Sequence, residues 1–272
     1  AGKVAAQLGE MNLLVPYFKE ALRLLPEQRD EIEKSLAQAV LLGEEQGRIE
    51  VKGRKLRVAA YEVLGLMEPL EDGNKVPKGF LRRYEGLLPR LTADPELILS
   101  IEGLDGSIGQ SRSVALLSYA IAEALGRNGD LKETVLLAGY LHHVGKRFIP
   151  EHLLNREDAE HDLQVMTGHV NEAERVISEL GLKIPEAVRE AIGYHHETFA
   201  GGGYPAGLKG EAIPLGSRIV QVASHYDVLT SWKSYRDAWN RKAALSQIRS
   251  ETDLGRYDPA VVDALSAVLE DS

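Results

Sequence analysis

Cysteine is absent from this sequence, and its absence excludes several kinds of chemistry. With no cysteine in 272 residues, the chain has no disulfide and no cysteine nucleophile, and it can bind a metal only through nitrogen and oxygen. A sequence without cysteine is compatible with a reducing compartment. We therefore expect a cytoplasmic protein.

Long apolar runs and an excess of positive charge are also missing. No stretch approaches the roughly eighteen consecutive apolar residues of a membrane-spanning helix, and the start, AGKVAAQLGEMNLL, has neither a basic leader nor a small-residue cleavage site. The formal net charge is -9, whereas duplex binding relies on many cationic phosphate contacts. We expect no membrane or DNA binding, although a local cluster of cations can still bind a small anion.

The amino-terminal part is rich in residues that favour helices. From Val4 to about Leu64, apolar residues recur three and four positions apart among alanine, glutamate, lysine and arginine, which is typical of amphipathic helices. Within this part, Gly47 to Ala59 alternates around Lys52-Gly53 and is alternatively a short hairpin. The turn-forming residues from Glu71 to Gly79 are the best linker candidate.

The rest of the chain predicts consecutive helices joined by short loops, with glycines at several helix ends. We therefore predict a mainly α fold. A smaller, mostly helical region for input or dimerisation covers residues 1–92, and a helical domain covers residues 93–272. The predicted helices span roughly Ser111 to Gly126, Leu131 to His143, Ala159 to Gly181, and Pro185 to Glu197.

Histidine is the informative residue type. Seven of the eight histidines fall between His142 and His196. Two adjacent pairs, His142-His143 and His195-His196, are accompanied by His169. Because neighbouring helical residues point roughly 100° apart, each pair suits either two metals or one ligand with a neighbour that orients it. Spacing alone leaves these choices open, together with histidines that serve only the core or the surface.

Three ordered blocks of sequence add a second kind of information. They are LHHVGKRFIPEHLLN from Leu141 to Asn155, YHHETFAGGGYPAGLKGEAIPLGSRI from Tyr194 to Ile219, and VASHYDVLTSWKSYR from Val222 to Arg236. From about Ser107 to the C-terminus, the chain resembles the HD-GYP branch of the HD phosphohydrolases. The resemblance says nothing about residues 1 to about 90.

The resemblance implies an all-helical, HD-type domain that hydrolyses cyclic di-GMP, a bacterial second messenger. In that family a centre of two or three metals, usually iron or manganese, activates water and neutralises charge on the phosphodiester. The family's GYP loop has also been linked to contact with diguanylate cyclase (GGDEF) domains. The histidine positions that the resemblance assigns to metal binding are kept here as His142, His169, His195 and His196.

Other ligand positions of the family are changed in this chain. Gln110 stands where a histidine is expected, His143 and Ser224 replace aspartates, and Gly106 occupies a site where some members have glutamate. His143 can still bind a metal, but it brings no negative charge and cannot bridge two ions; alternatively, it faces solvent or supports another ligand. We expect at most one divalent metal, iron, zinc, nickel or manganese, and no dinuclear centre.

The phosphate contacts implied by the resemblance are better preserved. Lys146 follows the first histidine pair and is the candidate for both catalysis and substrate binding, or else an ordinary helix-terminal cation. Arg236 ends the third block, and Lys233 replaces an arginine and therefore lacks its bidentate fork. Tyr204 either packs within its loop or touches a ligand or partner. Asp227 is most simply structural.

Two functions follow from these residues. A degenerate HD-GYP module would bind cyclic di-GMP or a related nucleotide, a single metal or a protein partner without efficient turnover. An active phosphodiesterase would instead use an unorthodox, histidine-rich metal site. The three changed ligand positions favour the first function, and a homodimer is compatible with both.

Overall fold

The computed structural model describes residues 41–49, 58–66, 70, 72–91, 97–98, 100–102, 107, 109–150, 163–231 and 237–270. The chain divides into two compact units, and the larger unit comprises Pro69–Trp232 and Asp237–Ser272. This unit begins earlier than the boundary predicted between residues 92 and 93. That boundary between functional domains stays a prediction.

An antiparallel pair of strands lies in the smaller unit. Strand β1 (Leu41–Ile49) pairs with β2 (Val58–Leu66), with register shifts between Leu42 and Gly43 and between Glu45 and Gly47. The prediction of a mostly helical amino-terminal region is therefore wrong for these two stretches. The alternative prediction of a hairpin is correct as to the type of structure. Local composition favoured helix, whereas pairing between these two neighbouring strands decides the outcome. The residues before Leu41, predicted as helices, lie outside the described part.

The larger unit is helical, which confirms the mainly α fold class. Among the residues that the structure describes, no helix combines the length and apolar character needed to cross a bilayer. Short 3-10 helices occupy Glu85–Arg90, Val144–Phe148 and Gly210–Ala212. The α-helices are α1 (Phe80–Tyr84), α2 (Gln110–Ala124), α3 (Gly129–Leu141), α4 (Leu163–Glu179), α5 (Glu186–Gly193), α6 (Leu215–Thr230), α7 (Arg241–Asp253) and α8 (Pro259–Glu270).

All four predicted helices end a few residues earlier than expected, and two of these ends concern the histidine pairs. Helix α3 ends at Leu141 rather than His143, and α5 ends at Gly193 rather than Glu197. Both histidine pairs therefore follow a helix instead of belonging to it. The two side chains of each pair therefore need not point roughly 100° apart, as neighbouring residues within an α-helix do.

Helix α6 is the central element of the helical unit. It packs against α2, α3, α5, α7 and α8, and its residues Ile219, Val220, Val222 and Ala223 are fully buried. Polar side chains on such a helix need partners, because burying an unpaired polar group is unfavourable. The partners of its buried Ser224 and Asp227 therefore decide how α6 connects to the rest of the domain.

A buried ion pair attaches the segment before the bundle to α6. Lys75 Nζ lies 2.5 Å from Asp227 Oδ1 and 3.2 Å from Ser231 Oγ, and the Tyr226 hydroxyl donates to the Lys75 carbonyl. Removing one partner from such a pair leaves a buried charge, which costs about 3–5 kcal/mol. Asp227 thus has the structural position that we expected for it.

Helix α4 approaches the Val144–Phe148 segment closely because Gly145 has no side chain. A Cβ atom on Gly145 would lie 1.8 Å from the carbonyl oxygen of His169 and 2.8 Å from the backbone nitrogen of Ala173. The contact joins backbone to backbone, so no side-chain rotation can relieve the clash. It also holds His143 and His169 near each other.

We expect Gly145→Ala to lower the free energy of unfolding by at least the ~1–3 kcal/mol typical of an overpacked core. Gly129→Ala is the matched control, because Gly129 begins α3 and a Cβ there meets nothing within 4 Å. Its effect should stay within about 0.5 kcal/mol. Urea unfolding of both variants measures the difference, and equal midpoints would contradict the close contact.

Candidate functional site

Five histidines from three separate stretches of chain meet in one place. His142 and His143 follow α3, His169 lies on α4, and His195 and His196 follow α5. The Nε2 atom of His169 lies 3.5 Å from that of His195 and 3.2 Å from that of His196, and the rings of His142 and His195 are 5.4 Å apart. The structure therefore brings together the four histidines that the resemblance assigns to metal binding, with His143 beside them. Their role as metal ligands stays a prediction.

Backbone carbonyls orient two of these rings. In both His142 and His195, Nδ1 lies near the carbonyl oxygen three residues earlier, at 2.8 Å and 2.6 Å. Because a carbonyl oxygen only accepts, Nδ1 carries the proton and the lone pair is on Nε2. The Nε2 lone pair of His195 thereby faces His169.

Burial keeps three rings of the histidine cluster neutral, those of His143, His195 and His196. It lowers the pKa of His195 to about 4, and the charge of Lys146 acts in the same direction. Burial is also the largest cause that holds the pKa of His143 and that of His196 well below the usual range, followed by the neighbouring rings and Lys146. These rings therefore present neutral imidazoles, the form that binds metals.

Three of the rings can hold one metal ion. His143, His169 and His195 each offer one nitrogen, and these atoms all lie within 4.8 Å of one another. Zinc–nitrogen distances of about 2.0–2.1 Å place two tetrahedral ligands about 3.3 Å apart, close to the 3.5 Å between His169 and His195. No carboxylate joins this group within the described ranges. The donors fit one borderline ion.

The other two changed ligand positions lie on two helices of the bundle. Gln110 is buried at the first residue of α2. Ser224, on α6, has its hydroxyl 3.1 Å from His142 Nε2. Gly106, the position where some relatives have glutamate, lies outside the described residues. The hydroxyl of Ser224 therefore contacts a histidine of the cluster directly.

Glu102 is a buried residue near α2 that sequence reasoning missed. Its carboxylate accepts from the backbone N–H groups of Gly109, at 2.8 Å, and Ser111, at 2.6 Å. It thereby satisfies donors at the start of α2, where negative charge is favourable. The sequence signal that could have identified this contact is an acidic residue shortly before a predicted helix.

The loop containing Tyr204 packs onto the histidine cluster. The Tyr204 ring stacks on His196 with 4.9 Å between centroids and 18° between planes. Glu197, fully buried and not predicted, holds this loop by accepting from the backbone N–H of Ala206 at 2.6 Å. A Cβ on Gly203 would lie 2.5 Å from the Cα of Glu197. Tyr204 therefore packs within its loop, and its contact with a ligand stays a prediction.

Lys146 is the candidate phosphate-binding cation that the structure locates. It belongs to the 3-10 helix after His143 and is partly buried. Its positive charge helps to lower the pKa of His143, His195 and His196, so it acts on the cluster. Lys233 and Arg236 lie outside the described residues.

We expect the metal-free protein to lose stability as pH falls from about 6.5 towards 4. The unfolded chain protonates histidine near pKa ~6.5, whereas folded His195 stays neutral down to about 4. The unfolded state therefore binds more protons in this window, and each such histidine lowers the free energy of unfolding by up to about 1.4 kcal/mol per pH unit. Unfolding measured with chelator across this range should show a shallower slope in His195→Gln. An identical slope would show that His195 does not titrate in this way.

Several known proteins are similar to this chain. Residues 99–261 match the HD domain family. The cyclic di-GMP phosphodiesterase response regulator RpfG of Xanthomonas campestris is 31% identical, over 91% of this chain and 70% of that protein. The 3'3'-cGAMP-specific phosphodiesterase 1 of Vibrio cholerae is 32% identical, over 57% of this chain and 36% of that protein. This chain thus spans only part of the length of either relative.

A solved structure shows the same fold. Bd1817, an HDG"Y"P protein from Bdellovibrio bacteriovorus, superimposes with a TM-score of 0.51 and 17% identity, over 80% of this chain and 84% of that one. At this identity the likeness concerns the fold alone. Together with the family match and the three sequence blocks, it leads to one conclusion: the chain belongs to the HD domain family, in its HD-GYP branch.

Proposed function

We propose that this chain is a degenerate HD-GYP domain that binds a cyclic dinucleotide at the histidine cluster and hydrolyses it little or not at all. The observation that carries the proposal is the group formed by His143, His169 and His195, which no carboxylate joins among the residues described. Two closely spaced metal ions need negative ligands between them, because their charges repel. A group of neutral imidazoles supports one ion at most.

Binding of an anionic nucleotide is supported by the groups beside the cluster. Lys146 contributes positive charge, and the Tyr204 ring stacks on His196 of the histidine cluster. Lys233 and Arg236 would add phosphate contacts if they act as the resemblance implies. The names of the relatives include both cyclic di-GMP and 3'3'-cGAMP, so we assign the class of cyclic dinucleotides and no single member.

Weak hydrolysis follows from the changed ligand positions. When bound, one metal would lower the pKa of a water ligand, whereas a second would share the charge on the phosphoryl oxygens. The lost stabilisation need only reach about 4 kcal/mol in the barrier to slow the reaction about a thousandfold. Lys146 and Tyr204 are outside the changed set, so affinity need not fall in proportion.

An active phosphodiesterase is the second candidate function. It is favoured by the number of donors in the metal group, because three protein ligands leave a position open for water, as in catalytic zinc sites. In that case the histidine-rich centre would itself be the catalyst. Turnover, rather than binding, separates the two candidates.

The proposal also includes contacts with other protein chains. The family resemblance assigns contact with a diguanylate cyclase (GGDEF) domain to the loop around Tyr204. In that loop Gly202, Pro205 and Ala206 are exposed, so its surface is accessible to another protein. We propose this contact and a homodimer as further properties of the chain.

We expect weak or undetectable hydrolysis of cyclic di-GMP and of 3'3'-cGAMP when iron, manganese, nickel and zinc are supplied in turn without oxygen. Lys146→Ala should weaken nucleotide binding about 10- to 100-fold, because a charged hydrogen bond contributes about 1.5–3 kcal/mol. Arg236→Ala should act in the same direction. Lys242→Ala, which removes an exposed cation on α7, is the charge-matched control and should leave the affinity unchanged.

Hydrolysis by the wild-type chain decides between the two candidates. Robust turnover that disappears in His195→Ala would replace the binding function with the enzymatic one. Absence of measurable affinity for either nucleotide would contradict both.

A further inference from the structure

Both ring nitrogens of His142 have protein partners. Nδ1 lies 2.8 Å from the Gly139 carbonyl oxygen and Nε2 lies 3.1 Å from the Ser224 hydroxyl, in a fully buried position. Since Nδ1 must donate to the carbonyl, Nε2 accepts the proton of the hydroxyl. The lone pair that would bind a metal is therefore directed at α6.

The residue at position 224 explains why this arrangement is possible. An ionised aspartate, the residue that the family has there, only accepts hydrogen bonds and offers no proton to the Nε2 lone pair. Two such acceptors facing each other need either a cation between them or a second proton on the imidazole. The serine hydroxyl donates instead, so Ser224 and His142 satisfy each other directly.

His143, rather than His142, lies close to the other two potential metal ligands. Its ligand nitrogen lies within 4.8 Å of those of His169 and His195, and His142 is not part of this group. The ring of His143 meets that of His169 edge-on, with centroids 5.2 Å apart. The close backbone contact at Gly145, two residues later, brings this stretch against α4.

We infer that the metal-ligand role of the first histidine pair has moved by one residue, so that His143, His169 and His195 hold the metal. His142 instead fastens the end of α3 to α6 through Ser224. This inference deepens the proposed function and rests on its single metal at the same cluster. It also predicts the class of metal: neutral imidazoles suit cobalt(II), nickel, zinc and iron, whereas manganese and magnesium prefer oxygen ligands.

Cobalt(II) is the probe that tests the inference, because its visible absorption reports the ligands around it. The full chain, freed of metal, should bind one equivalent of cobalt(II), and zinc should displace it. His143→Gln should weaken cobalt binding by more than about 100-fold, beyond the 10- to 100-fold range of residues that only orient a ligand. His142→Gln is the matched control at the adjacent position, and it should change the affinity by no more than about tenfold and leave the absorption bands in place.

Each result bears on the inference. Loss of binding in His142→Gln with retention in His143→Gln would overturn it, as would equal loss in both or no binding by the wild-type chain. Circular dichroism and thermal unfolding check that each variant is folded, and His143→Asn replaces His143→Gln if the latter is not. Nucleotide hydrolysis by the same preparation would contradict the proposed binding function but not the assignment of the metal ligands. Failure of the proposed function can therefore be distinguished from failure of the ligand assignment.

Discussion

The burial of several imidazole rings beside one another is the constraint on which the site depends. A charged ring in this position would be desolvated and repelled by its neighbours and by Lys146, and His195 is accordingly neutral down to a pKa of about 4. Neutral rings can approach closely, as His169 does to His195 and His196. The same neutrality makes their lone pairs available to a metal and leaves the cluster without the negative charge that would hold a second ion.

The changes at positions 143 and 224 are linked by this electrostatic condition. Replacing an aspartate by His143 removes a charge, and replacing another by Ser224 supplies a proton donor for His142. In the inferred assignment, one change adds a nitrogen ligand to the cluster, and the other gives a buried histidine a neutral partner. Either substitution alone would leave one carboxylate beside the histidine rings. The two together give a site in which His142, His143 and Ser224 each have a defined role.

Much of this arrangement could be predicted from the sequence, because it depends on short-range patterns. Apolar periodicity indicated α2 to α5, and the family resemblance indicated which histidines would share a site. The strand pair at Leu41–Ile49 and Val58–Leu66 depends on contacts between separate stretches, which local helix propensity does not report. The same holds for Lys75 with Asp227, since these residues are far apart in the sequence and only the folded chain brings them together.

Binding and catalysis make different demands on such a site, and the proposed function separates them. Ground-state binding needs positive charge and complementary surfaces, which the proposal assigns to Lys146 and the stacked Tyr204. Acceleration needs interactions that become stronger in the transition state, above all charge placed against the phosphoryl oxygens as they change. Under the proposed function, a site without bridging carboxylates lacks the means of holding that charge in place but keeps the cations and rings around it. Such a site would attract an anionic ligand more effectively than it would stabilise the transition state.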